Sequence, residues 1–308
     1  FDLGGAPGAR LREVERDVEL GAAGRDVQRI VARLRVAAAY LGAQLAQLRA
    51  EAARQGIELA RRVLDAAEKR IEAGAASEFE RASAQVELAR IEASEQAALR
   101  ERDESLMQLR EALDLPGEQP LALTTRVDTP GPLPPLQTFI EAARKHHPDL
   151  VVLQKRLASL SATRERLERE LFPRLGLYAG VDAAPASPVY GVLGVSGELP
   201  FAQRNQGPRA VVARSLETER TRLELLERRI ERELRGSFDS HERRRAEYVV
   251  LSQSALPAAE RSFELAEVGW RAGRFDWFRV ALAARDLVEL RSARIEALTA
   301  LWSARIGL

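Results

Sequence analysis

The chain offers few groups able to do chemistry, and their spacing suits none. His146 and His147 precede Pro148, but adjacent helix positions point in different directions, and neither a cysteine nor a third histidine lies nearby in sequence. A zinc-type site takes three or four ligands, so the pair reads as a helix end and no metal site is predicted. His241 stands alone on a long charged stretch and reads as a packing or surface residue. GVSG at 194–197 is one residue short of a nucleophile elbow, and GGAPG at 4–8 lacks the strand context and spacing of a dinucleotide loop. No catalytic residue, enzyme activity or cofactor is predicted.

Charge and aromatic residues do gather at one place. Residues 271–287 read RAGRFDWFRVALAARDL, where Gly273 separates two helical stretches and is followed by Phe275, Trp277 and Phe278 in a chain only 5% aromatic. A sibling stretch, RIEAGAASEFERASAQVELA, occupies residues 70–89. Both read as sharp turns between helices, with a glycine free to take the left-handed conformation a helix C-cap needs.

The elements around these turns follow from composition and punctuation. The 308 residues are 30% charged with a net charge of +1, a balance that argues against a nucleic-acid partner. An apolar share of 45% excludes a disordered composition. No run of 18 apolar residues is present, so no transmembrane helix is predicted. After Pro7 no proline appears until Pro116. Val27, Leu34, Leu41 and Leu48 repeat every seven residues, with Val31, Ala38, Leu45 and Ala52 interleaved, the pattern of helices that supercoil around neighbours.

The chain therefore divides into four segments. Residues 1–113 form a long helical hairpin, with helices over about 8–73 and 77–113, its tip near Gly74 and Ser77 capping the second helix. Residues 114–172 form a proline-rich linker and two shorter helices parted at Pro148. Residues 173–203 alternate Leu175, Leu177, Ala179 and Val181, then, past a Pro185–Pro188 turn, Val189, Leu193, Val195 and Leu199. That is a β-hairpin whose arms suit either a soluble sheet or a tilted membrane strand. Residues 204–308 form a second long helical hairpin with its tip near Gly273, its first helix bent or opened at Pro257.

The two long hairpins are an internal repeat. A shift of 199 residues brings Gly74 onto Gly273, Phe79 onto Phe278, Ala84 onto Ala283, Leu88 onto Leu287 and Arg10 onto Arg209. In each half 64 residues separate that arginine from the turn glycine, about 96 Å of helix. The same shift sets FDLGG against PFAQR, so a strand tail is expected at Phe1, and a counterpart of residues 136–199 is expected upstream of it.

A duplicated unit of short helices, hairpin, very long helix, sharp turn and returning helix resembles the TolC family of outer-membrane efflux channels. HHPDL with RERLERELFPRLGLYAG, ELPFAQRNQGPRA and LPAAERSFELAEVGWRAGRFDWF carry the resemblance locally. The RNQG is most similar to the CzcC-like heavy-metal branch. The resemblance implies a mainly α fold of very long antiparallel coiled-coil helices, with the hairpin contributing to a trimeric transmembrane β-barrel. It implies a homotrimer in the outer membrane of a Gram-negative bacterium with a long periplasmic extension. Its partners would be outer-membrane lipid, a periplasmic adaptor and an inner-membrane RND pump. The implied function is passive export of metal cations. A drug-efflux or type I secretion channel of the same family is one alternative, and a soluble coiled-coil scaffold is another.

By that resemblance both turns lie at the periplasmic tip. Gly74, Glu78, Glu80, Gly273, Arg274, Phe275, Asp276, Trp277 and Arg279 become candidates for the gate or for adaptor contact. Glu78, Glu80, Arg274 and Asp276 could form ionic latches or be solvated charges; the aromatics could dock a partner or simply pack. Some relatives carry aspartates where this chain has Arg279 and Leu282, so that acidic gate is not reproduced.

Overall fold

A computed structural model of the chain describes residues 4–116, 121–125, 127–172, 174–182, 190–198 and 205–308. The elements are α1 (Ala6–Glu72), α2 (Glu78–Ala112), α3 (Leu136–His146), α4 (Pro148–Arg169), β1 (Arg174–Asp182), β2 (Tyr190–Glu198), α5 (Gln206–Val250), a π-helical turn (Leu251–Ala255), α6 (Leu256–Arg271) and α7 (Trp277–Ile306). They form two compact units, residues 1–30 with 137–233 and residues 31–136 with 234–308, so α1 and α5 lend residues to both.

In the first unit α4 lies along the start of α1, and charge aligns them. Arg166 bridges Glu13 at 2.5 Å and Glu170 at 3.0 Å, and Glu170 also accepts from Arg10 at 2.9 Å. Arg12 pairs with Glu165, Lys155 with Glu19, and Ser159 donates to Asp17 at 2.6 Å. Most of these groups face water and contribute little singly. The Arg10–Glu170–Arg166–Glu13 chain is more enclosed. Burial alone would raise the Glu170 carboxyl, but hydrogen bonds and charge from Arg10 and Arg166 outweigh it and hold it below its ordinary value. Leu167, Val212 and Leu216 form a small apolar core.

The hairpin belongs to this unit. β1 and β2 pair antiparallel over nine residues each, with Leu177 opposite Val195, Ala179 opposite Leu193 and Tyr178 opposite Gly194. Opposed residues share a face. One face therefore carries Leu177, Ala179, Val181, Leu193 and Val195; the other carries Gly176, Tyr178, Gly180, Val192, Gly194 and Ser196. The Tyr178 ring lies over Gly194, where a Cβ would come within 2.2 Å of it. The Pro185–Pro188 turn, Val189, Leu199 and the strand tail at Phe1 lie outside the described residues.

The second unit is a helical bundle with the linker strapped across it. The prolines of 130–135 keep that segment extended, and its carbonyls and hydroxyls are taken up by the helices. Gln44 donates to the Thr125 carbonyl at 2.6 Å, Trp302 to Asp128 at 3.0 Å and Arg305 to Gly131 at 2.7 Å, while Thr129 and Tyr248 share a hydrogen bond. Val127 packs beneath on Leu45, Tyr248, Leu298 and Leu301. The seven-residue seam closes within the chain only from Leu41 onward: Leu41, Leu45 and Leu48 join this core, whereas Val31, Leu34 and Ala38 are exposed.

Pro257 opens the ladder as its chemistry requires. It has no N–H to offer the carbonyl of Gln253. The preceding residues wind into a π turn in which the Leu256 N–H reaches back five residues to Leu251, and Ser252 donates its hydroxyl to the Tyr248 carbonyl at 2.7 Å.

Candidate functional site: the paired turns

Both turns lie in the second unit, and the repeat is visible in their hydrogen bonds. At the first turn Ala73, Gly74 and Ala75 donate to Lys69, Ile71 and Arg70 at 3.2, 2.8 and 2.8 Å. At the second, Ala272, Gly273 and Arg274 donate to Val268, Trp270 and Gly269 at 3.1, 2.9 and 2.8 Å. Every pair of atoms is in step by 199 residues. Gly74 and Gly273 hold φ of 68° and 72°, the left-handed conformation that lets a helix end in this way. Ser77 and Asp276, also in step, occupy the N-cap positions of α2 and α7.

The step changes at the helix starts. There Gly5 and Asn205 are both left-handed and accept the first helical bonds, from Ala9 and Arg209. They are 200 residues apart, so the Arg10–Arg209 correspondence is one residue out of register and the repeats differ by one residue in between.

The side chains make the two turns unlike. At the second, the Asp276 carboxylate caps α7 by accepting the Arg279 backbone N–H at 3.1 Å. At the first, Ser77 holds the cap position without a side-chain bond. A carboxylate there also meets the positive end of the α7 dipole. Arg279 extends its guanidinium over the Phe275 ring, 5.1 Å from the centroid, which gives its charge a local partner. Phe275 in turn lies on Gly269, where a Cβ would come within 2.4 Å of the ring. The backbone N–H of Arg274 closes the turn.

Trp277 is buried, not presented to a partner. It meets Trp270 edge-on at 5.5 Å within a core that includes Val63, Ala67, Ala84, Phe263 and Val280. Burying a residue of this size stabilises by about 1.5–3 kcal/mol, with roughly 0.5–1.5 more from the ring pair. Phe79 and Phe278 remain exposed, and their tilted rings meet with centroids 6.2 Å apart. Beside them a cleft of about 280 Å³ is lined by Leu59, Ile91, Phe278, Leu282 and the charged side chains of Glu87 and Arg285.

Among the described residues the charged candidates make no ion pair with one another, and Asp276 meets Arg279 only at its backbone N–H. Glu78 pairs with Arg81 on its own helix at 2.5 Å, Asp276 caps, and Glu80 is half-buried. The bond that joins the turns comes from Arg70, which the sequence reading did not single out. Its guanidinium donates to the Trp270 carbonyl and to the Ala75 carbonyl, both at 2.8 Å, and lies over the Trp270 ring. Gly269 was missed too. A basic residue in a helix's last turn and a glycine four residues before a turn glycine are the sequence signals for them.

The histidines fall elsewhere. His147 is the N-cap of α4 and His146 ends α3, while His241 is wholly buried on α5. Among the described residues no group of three or more His, Cys, Asp or Glu is placed to hold a metal ion. Nor does any helix have the length and apolarity to cross a membrane.

Known proteins share this architecture. Residues 1–114 match the outer membrane efflux protein family. The cobalt-zinc-cadmium resistance protein CzcC of Cupriavidus metallidurans is 28% identical over 300 residues, spanning 94% of this chain and 70% of that protein. The solved outer-membrane channel OprN superposes with a TM-score of 0.80 over 99% of this chain and 71% of its own, at 19% identity. The outer membrane protein VceC of Vibrio cholerae gives 0.77 over 100% and 76%, at 15% identity. By these likenesses the chain resembles the outer membrane efflux proteins, with the family's match carried by residues 1–114. That family consists of channel proteins, and CzcC is a homologue.

Proposed function

We propose that the chain is one protomer of a homotrimeric outer-membrane channel that conducts metal cations passively out of the cell. An inner-membrane RND pump would supply the energy and a periplasmic adaptor would join the two. The observation that carries the membrane part is the hairpin face of Leu177, Val181, Leu193 and Val195, each between 66% and 86% exposed. Nine-residue strands with one such face suit a tilted barrel wall against outer-membrane lipid. Two strands leave open edges that lipid does not tolerate, so closure requires further strands in a shared barrel. The uncovered seam at Val31 and Leu34, with Leu11, Val14 and Val18 on the same helix, suits burial against a neighbouring subunit.

The cargo assignment rests on likeness to CzcC along nearly the whole chain. Gly74, Glu78, Glu80, Gly273, Arg274, Phe275, Asp276, Trp277 and Arg279 would form the periplasmic tip. In this reading Trp277 acts through packing, and the exposed Phe79–Phe278 pair with its cleft meets the adaptor. Deletion of the gene tests the cargo. Lost tolerance to zinc, cobalt, cadmium or copper, restored by complementation, is expected. Unchanged metal tolerance with lost drug tolerance or protein secretion would reassign it, and a soluble full-length protein would favour a scaffold.

A further inference from the structure

We propose that Arg70 is a one-way clamp: a side chain of the first repeat that closes both turns and that the second repeat does not return. It sits in the last turn of α1. One guanidinium nitrogen donates to Ala75 in its own turn and the other to Trp270 at the end of α6, both at 2.8 Å. The Trp270 carbonyl, at the negative end of α6, also accepts the Gly273 N–H, and the Ala75 carbonyl lies past the end of α1 in its own turn. A planar guanidinium can take both at once, which an ammonium does with less geometric control. The ring of Trp270, 5.0 Å from the guanidinium carbon, adds a third contact.

The asymmetry marks this as a device and not a by-product of duplication. The three helix-ending backbone bonds of the first turn have counterparts in the second at a step of 199, where the Phe275 N–H adds a further bond to Gly269. That step carries Arg70 to Gly269, which has no side chain, and the Phe275 ring fills the space a Cβ would need. A second clamp is thus sterically excluded. Three acids beside the turns serve other partners: Glu78 holds Arg81, Glu267 holds Arg271 and Asp276 caps α7. Both hydrogen-bond acceptors of the clamp are neutral carbonyls, so its grip does not depend on ionising a carboxylate. Arg70 is a positioning residue. It fixes the α6–α7 turn against the α1–α2 turn, and, on the channel reading above, thereby sets the aperture of the periplasmic end.

Hydrogen–deuterium exchange of the full chain in detergent micelles tests the clamp directly. In Arg70→Ala, amides of residues 268–279 are expected to exchange at least fivefold faster than wild type, while those of the 121–136 strap are unchanged. Arg70→Lys, which keeps the charge without the fork, should recover less than half of the protection. Arg70→Gln, with one donor nitrogen in place of the fork, replaces the alanine variant should that lose helix content, and its exchange at 268–279 is expected to lie between that of wild type and the alanine variant. Unchanged exchange at 268–279, uniformly raised exchange, or full recovery by lysine would overturn the clamp. A second arm measures conductance in planar bilayers, where Arg70→Ala should conduct at least twofold more than wild type. Faster exchange with unaltered conductance would overturn the aperture role. Faster exchange in Arg70→Ala, with a wild type that conducts nothing, would overturn the channel reading and leave the clamp standing.

Discussion

Phe79 and Phe278 are the same residue of two repeats, and their rings meet, 6.2 Å apart and tilted by 42°. Both are largely exposed, so the pair stabilises the chain by roughly 0.5–1.5 kcal/mol at most. Substituting either by alanine is expected to leave helix content and trimer intact while weakening adaptor binding about tenfold. Helix content by circular dichroism and affinity by biolayer interferometry would check this. Unaltered affinity would remove the pair from the docking surface.

The turn glycines should tolerate asparagine and reject valine. At φ near 70° a β-branched residue is strained by about 1–3 kcal/mol, whereas asparagine enters that region more easily. Gly74→Val and Gly273→Val should each raise protease sensitivity at their own turn, and Gly74→Asn should not. Limited proteolysis with mass mapping reads this out.

Gly269 needs its missing side chain for a different reason. Gly269→Leu should displace Phe275 and, with it, the ring on which Arg279 rests. Faster exchange at residues 274–279, with α1–α2 unaffected, is the expected result. A wild-type exchange pattern would show that the close approach is not required.

Acid should loosen α4 from α1. The Glu170 carboxyl lies below its ordinary value in the folded chain. A depressed carboxylate contributes stability that is fully present above the unfolded value, about 4.3, and is lost as pH falls through the lower folded value. Exchange at residues 160–172 should therefore rise below about pH 4.3, and Glu170→Gln should flatten that dependence. A profile identical in wild type and variant would assign the acid response to other groups.

The two hairpin faces should respond oppositely to charge. Leu193→Arg puts a cation on the apolar face, at a cost of about 2–4 kcal/mol if it meets the bilayer midplane. Ser196→Arg puts it on the face with Tyr178 and Gly194. The first should abolish the heat-resistant trimer on gel electrophoresis and the second should preserve it. Equal effects would contradict a lipid-facing side.

The fold was legible where the sequence is periodic or punctuated. The prolines and the turn glycines placed the ends of α1 and α2 within about two residues, and Pro257 announced the opened ladder. The hairpin's faces followed from simple alternation. Less of the site could be read. Periodicity says that Trp277 lies on a helix but not which face its neighbours cover, so the sequence leaves docking and packing open where the structure buries it. Charge type suggested latches between acids and bases, yet Arg70 uses backbone carbonyls, which no residue pattern advertises. The register at the helix starts also escaped, because Gly8–Gly207 and Arg10–Arg209 match by chance one residue away from the structural equivalence of Gly5 and Asn205.

The central claim is that this chain forms a conducting pore in the outer membrane. Single-channel recording in planar lipid bilayers, with full-length protein purified from that membrane, tests it most directly. The account predicts discrete, ohmic conductance steps from a trimer, lost with Leu193→Arg and kept with Ser196→Arg. A protein that fractionates as soluble, or that inserts without conducting, would contradict it.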